Sequence, residues 1–282
     1  MVVAVCIVTA ACAPRRSLAH TWEALYAFGD SYTDSGAGYV DGNGPTAVVY
    51  LAQSLNIPFS YAGAADATGK SLNFAISGAQ TGKNAGIRIR PATAGCGTQE
   101  ALFGRGMQTQ VADFTQRVRS GEIRFDGEKT VFFLAGGLND QEVPTATTIG
   151  NLEGELRELY RVGGRYFLVA LLPTKIPAFT AVGTRLNPAI ARVPADVRQK
   201  LPGAHIELSR WGQYFDRILN RHAEYGIANA KDRCAGRAIF GETATPCATP
   251  DAYFYYHDGH PSTAVQKVVG MELKREIQEL FN

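Results

Sequence analysis

No stretch of this chain approaches the roughly 20 consecutive apolar residues that a membrane-spanning helix needs, so no stable membrane insertion is expected. An excess of one charge is also missing. The 28 Lys and Arg stand against 26 Asp and Glu without a sustained run of either sign, which argues against nucleic acid as a partner. Internal repeats and low-complexity tracts are absent, so neither a solenoid nor a linker between domains is indicated. Cysteine is scarce, and no two of Cys96, Cys234 and Cys247 have the spacing of metal ligands. His257, Asp258 and His260 carry ligand-type side chains, but their spacing does not suit one face of a helix. The expectation is therefore no metal and no cofactor. What is present is 282 residues with 45% hydrophobic content, enough for one sizeable core.

The first 13 residues, MVVAVCIVTAACA, form a short apolar run ending in small residues, the pattern of a secretory leader. Ser17-Leu18-Ala19 offers a second cleavage point, so residues 1–19 read as a signal peptide cut after 13 or 19, and residues 20–282 as one domain of a secreted protein. The competing reading of the run is a buried first strand. Removal of a leader would leave Cys96, Cys234 and Cys247. The last two flank a loop rich in Gly, Thr and Pro, which predicts a Cys234–Cys247 disulfide with Cys96 free.

Short apolar β-prone runs alternate with longer amphipathic ones, the pattern of a parallel sheet with helices on both faces. Strands are expected at 24–28, 72–76, 130–135 and 166–171, with a weaker one at 226–230; helices are expected at 46–55, 107–119, 149–162, 205–225 and 262–280. In the last helix Val265, Val268, Val269, Leu273, Ile277 and Leu280 share one face. Residues 82–106 and 173–204 read as long loops above the sheet. The fold class is α/β, a three-layer α/β/α flavodoxin-like arrangement with a central parallel sheet of about five strands.

Polar motifs directly follow three of the apolar runs: Gly29-Asp30-Ser31-Tyr32-Thr33-Asp34, Ser77-Gly78-Ala79-Gln80 and Gly136-Gly137-Leu138-Asn139-Asp140. In an open α/β sheet this puts them at the carboxyl edge, where ligands bind. A fourth segment, Tyr255-Tyr256-His257-Asp258-Gly259-His260-Pro261-Ser262, precedes the final helix. Each block alone has a plain structural reading as a turn, a helix cap or tight packing. Together and in this order they resemble the SGNH, or GDSL-type, hydrolase superfamily across residues 28–262. The compact length and the His260-Pro261-Ser262-Thr263 ending look most like secreted fungal acetylesterases.

The resemblance implies that Ser31 is the nucleophile and His260 the general base. It also implies an oxyanion hole built from the backbone N–H of Ser31, Gly78 and the amide of Asn139. The residue types suit that chemistry. A serine hydroxyl needs an imidazole to take its proton, and neutral fixed donors suit the charge that develops on an ester carbonyl. Asp30 and Asp34 are expected to be structural. In one respect the chain departs from the family pattern, which puts an aspartate three residues before the histidine; here that position is His257, and Asp258 lies two before. Either the Asp258 carboxylate or a backbone carbonyl near His257 could orient the ring. The aromatic run 253–256 reads as a strand end packed on the core.

These observations point to a carboxylic ester hydrolase working through an acyl-enzyme, with short acyl groups, such as acetyl, on carbohydrate or small-molecule esters as substrates. A lipase, phospholipase or acyltransferase would use the same residues. An inactive carbohydrate-binding protein is the alternative from another class.

Overall fold

Thr130-Val-Phe-Phe-Leu-Ala135 is apolar at nearly every position, and a strand of that kind needs cover on both faces. In the computed structural model, which describes residues 20–38, 41–84 and 105–281, it is the central strand and is buried along its whole length. The strands are β1 (Ala24–Gly29), β2 (Phe59–Tyr61), β3 (Ser71–Asn73), β4 (Thr130–Ala135), β5 (Tyr166–Ala170) and β6 (His205–Ser209), all parallel, in the order β2-β3-β1-β4-β5-β6. Without the edge strand β2, this is the 2-1-3-4-5 order of a doubly wound flavodoxin-like sheet. Helices α1 (Ala47–Ser54), α6 (Trp211–Asn220) and α7 (Thr263–Phe281) pack together, α7 touching both others. A second group contains α2 (Met107–Arg119), α3 (Thr145–Arg161), α4 (Thr180–Ile190) and α5 (Val193–Arg198). The result is a three-layer α/β/α fold. Among the described residues, no helix is long and apolar enough to cross a membrane.

The fold departs from the sequence reading in four places. Residues 205–209 are strand β6 rather than the start of a helix: Ile206 and Leu208 alternate with polar neighbours, and Pro202-Gly203 separates them from α5. The long loop expected at 173–204 contains α4 and α5. Pro188, Pro194 and Gly183 made it read as irregular, yet Pro194 sits in the first turn of α5, where its missing N–H costs nothing. A Cβ on Gly183 would lie 2.2 Å from the Pro173 carbonyl oxygen, so here glycine allows close packing rather than breaking the helix. Strand β2, with only three residues, carries too little pattern to be legible.

The weak strand expected at 226–230 is β7 (Asn229–Arg233) and does not join the main sheet. It pairs with β8 (Tyr253–His257), and β8 pairs in turn with β9 (His260–Pro261), forming a second, three-stranded sheet. The aromatic run is β8, with Phe254 fully buried. Cys234 and Cys247 are joined by a disulfide just after β7. The segment expected to be a leader, Cys96 and most of the loop expected at 82–106 lie outside the described residues.

Candidate active site

Strand β1 ends where Gly29 comes against β4: a Cβ at this position would lie 2.5 Å from the Ala135 carbonyl oxygen. The Gln110 side chain clamps the same residue, accepting from its N–H (3.0 Å) and donating to its carbonyl (2.8 Å). The chain then turns sharply. The Asp30 carbonyl accepts from the amides of Thr33 and Asp34, both at 2.9 Å, which leaves Ser31 at the start of a single helical turn.

Two buried aspartates hold this turn. Asp34 accepts five hydrogen bonds, from the amides of Gly36 (2.8 Å), Ala37 (2.7 Å), Gly38 (3.0 Å) and Ser77 (2.7 Å) and from the Ser77 hydroxyl (2.9 Å). It thereby ties the first motif to the second. Burial pushes its carboxyl up to about 6 in spite of these donors. Asp30 is completely buried and accepts from the Tyr32 amide at 3.2 Å; burial pushes it up to about 8. Both therefore stay near the reacting groups as backbone anchors, the role expected for them.

Gly78 sits at the third position of a turn closed by Ala79 N–H to Ile76 O (3.1 Å), with φ +80°, a conformation that favours glycine. Asn139 follows β4 and a second positive-φ glycine, Gly137. The two motifs bond to each other. The Asn139 amide donates to Ala79 O (3.0 Å), and Gln80 donates to Asn139 O (3.2 Å). The buried Asp140 carboxylate accepts from the Thr81 amide (3.0 Å) and the Thr148 hydroxyl (2.7 Å). From α4, Arg185 donates to the carbonyls of Val143 (2.9 Å) and Gln141 (3.0 Å), so a helix that the sequence did not reveal pins the loop after Asn139.

His260 arrives from the second sheet. His257 pairs with His260 across the two-residue turn Asp258-Gly259, in which Gly259 has φ +67°. This brings the His260 Nε2 to 2.8 Å from the Ser31 Oγ, across 229 residues of sequence. The Nδ1 meets the backbone carbonyl of Asp258 at 2.8 Å. The Asp258 carboxylate is elsewhere, on the surface, bonded to Arg233 at 2.8 Å. Of the two groups considered for orienting the ring, it is the carbonyl that touches it; the Asp258 side chain, included among the candidate catalytic residues, does not. The reason is the short turn, which curls its own backbone oxygen onto the ring while the side chain points outward. His257, at the position where the family pattern has an acid, is buried beside Ala235 O (3.4 Å).

Tyr32 donates its hydroxyl to Gly259 O and lays its ring 5.5 Å from that of His260, tying the second sheet back to the first motif. Burial lowers the His260 pKa below its ordinary value; the nearby Asp41 opposes that shift and Arg237 adds to it. Asp41 and Arg237 were not singled out in the sequence. Asp41 lies in Asp-Gly-Asn-Gly, which reads only as a turn.

The chain matches the GDSL-like lipase/acylhydrolase family over residues 25–273. It belongs to that family. The GDSL esterase/lipase EXL5 of Arabidopsis thaliana is 30% identical over 61 residues, which are 22% of this chain and 16% of that protein. A crystal structure of a member of the lipolytic protein G-D-S-L family from Veillonella parvula overlays with a TM-score of 0.47 at 13% identity, covering 92% of this chain and 98% of the other. The family is one of lipases and acylhydrolases. The family matches the superfamily resemblance of the four motifs.

Proposed function

We propose that this GDSL-like hydrolase removes short acyl groups, acetyl among them, from carbohydrate or small-molecule esters, with Ser31 as nucleophile and His260 as general base. The observation that supports these roles best is the contact of 2.8 Å between Ser31 Oγ and His260 Nε2, with Nδ1 engaged by the Asp258 carbonyl. A carbonyl on Nδ1 fixes the tautomer in which that nitrogen carries the hydrogen, leaving Nε2 as the acceptor. Burial keeps the ring neutral at neutral pH, the state a base needs.

In the first step Ser31 Oγ bonds to the ester carbonyl carbon as its proton passes to Nε2. The oxyanion lies among the Ser31 N–H, the Gly78 N–H and the Asn139 amide. That amide has two hydrogens, and the Ala79 carbonyl holds one of them, so the group is already oriented before substrate arrives. The tetrahedral adduct then expels the alcohol, which takes the proton from Nε2, and the acyl group stays on Ser31. Water, deprotonated by the same imidazole, releases the acid and restores the serine.

The preference for short acyl groups rests on the likeness of the compact chain and its His260-Pro261-Ser262-Thr263 ending to secreted acetylesterases. Secretion belongs to the same reading and is supported by the Cys234–Cys247 disulfide, a bond that persists in oxidising compartments. A panel of p-nitrophenyl esters of increasing acyl length, run in water and then with a glycerol acceptor, tests the proposal. Highest kcat/KM at two to four carbons, with hydrolysis dominant, is expected. A maximum at long chains points to a lipase or phospholipase, and dominant transfer to glycerol points to an acyltransferase.

A further inference from the structure

The mechanism above leaves one buried carboxylate beside the reacting groups without a part. Asp41 lines the same small cavity as Ser31 and His260, and its side chain is 2% exposed. Its Oδ2 lies 3.9 Å from the His260 Nε2, while Arg237 closes on Oδ1 as an ion pair. Neither Asp41 oxygen carries a well-aligned hydrogen bond. Of the other buried aspartates near the site, Asp34 has five donors, Asp140 has Thr81 and Thr148, and Asp30 has the Tyr32 amide on one oxygen. An aspartate that serves only the fold is expected to be bonded in that way, because a dehydrated charge without donors is costly. Asp41 is held by charge, and the group it stands against becomes cationic during the reaction.

We propose that Asp41 is the carboxylate of this site, a positioning residue that acts through His260 from the Nε2 edge of the ring and stabilises the imidazolium formed as Ser31 gives up its proton. The inference rests on the assignment of Ser31 and His260 above. In serine hydrolases with a complete triad, one carboxylate on Nδ1 fixes the tautomer and also balances the charge. Here the two tasks are divided. The Asp258 carbonyl bonds Nδ1, and a carbonyl orients well but carries no net charge. Asp41 supplies the charge from the other side, at a separation where an opposite charge favours the protonated ring. Arg237 has a tempering part. It pairs with the Asp41 carboxylate, and its own positive charge limits how far the imidazolium is stabilised, so that His260 still releases its proton to the leaving alkoxide.

The remaining groups around the ring do not supply the missing charge. Tyr32 and Phe179 present aromatic faces, at 5.5 and 6.4 Å between ring centroids. His257, on β8, is a buried imidazole, and the Asp258 carboxylate is 73% exposed and paired with Arg233. This arrangement accounts for the departure at position 257. With the negative charge brought by a loop between β1 and α1, the turn before His260 can carry a histidine where the family pattern has an acid.

The test uses an alkyl fluorophosphonate, whose reaction with the serine hydroxyl needs the same base and no knowledge of the natural ester. The second-order labelling rate is measured against pH for the intact protein and for Asp41→Asn, Asp41→Glu and Asp258→Asn, with folding followed by circular dichroism. Removing a negative charge from beside His260 lowers its pKa, so Asp41→Asn is expected to move the acid limb of the profile to lower pH. It should also lower the plateau at least tenfold. Asp41→Glu should bring the limb back toward its original position, and Asp258→Asn should move it far less than Asp41→Asn does. Should Asp41→Asn not fold, Asp41→Ser is read by the same criterion. An acid limb that stays in place in the folded variant, whatever the plateau does, overturns the role of Asp41. A parent protein in which Ser31 is not labelled at all overturns the site assignment instead.

Discussion

The two halves of the candidate site are held in different ways. Ser31, Gly78 and Asn139 follow β1, β3 and β4, neighbouring strands of the main sheet, and buried side-chain bonds from Gln110, Asp34 and Asp140 join their loops. His260 hangs from a three-stranded sheet outside that frame, kept in place by the Cys234–Cys247 disulfide, the Tyr32 to Gly259 bond and a turn of two residues. Groups meant to meet a developing charge gain from rigidity, because fixed donors need no reorganisation during the reaction. The proposed base is held by its own sheet and by the bonds just after it, Ser262 N–H to Phe254 O (2.8 Å) and the Ser262 hydroxyl to Tyr253 O (2.6 Å). The comparison can be broken or sharpened by experiment.

The largest effect is expected where the halves meet. Ser31→Ala and His260→Ala should each lower kcat by about 10⁴ or more, and the double variant should be little worse than either single one, because the two act as a unit. Additive losses measured in this cycle would contradict such coupling. The pH profile carries a sign as well. Neutral His260 is the active form, and burial lowers its pKa, so activity should fall only below the ordinary histidine value of about 6.5. A limb above that value would show that the burial effect is outweighed.

The sheet half should respond in chemistry more than in binding. Asn139→Ala is expected to cost on the order of a hundredfold in kcat with KM nearly unchanged, because its amide acts on charge present only in the transition state. Steady-state kinetics on any accepted ester decide the matter.

Removing the disulfide should test the anchoring of the other half. For a sequence separation of 13 residues, Cys234→Ser with Cys247→Ser is expected to cost about 3 kcal/mol, felt first in the second sheet. In urea, activity should then disappear at a lower concentration than the far-ultraviolet signal of the main sheet and helices. Coincident transitions would mean that the two sheets unfold as one.

The smallest effect is expected at Asp258. Its carboxylate faces Arg233 and solvent, and its backbone carbonyl survives any side-chain change. Asp258→Ala should keep kcat within about tenfold of the parent, whereas loss of a carboxylate bonded to Nδ1 would cost about 10⁴.

Much of this was legible in the chain itself, since local pattern is what specifies local structure. The apolar runs of β1, β4 and β5, the amphipathic stripe of α7, the polar motifs that end the strands and the turn-rich loop between Cys234 and Cys247 are all written within a few neighbouring residues. From these alone came the layered α/β class, the disulfide and four of the site residues, with the family resemblance assigning their roles. Tertiary structure decided what depends on distant partners. Short β2 and β6 became strands by pairing with β3 and β5, and β7 left the main sheet because β8 offered it an edge. The Asp258-Gly259 turn could have presented either a carboxylate or a carbonyl to His260, because a glycine admits several backbone shapes. Asp41 and Arg237, nearly two hundred residues apart in the chain, met beside the ring only once the core had packed around them.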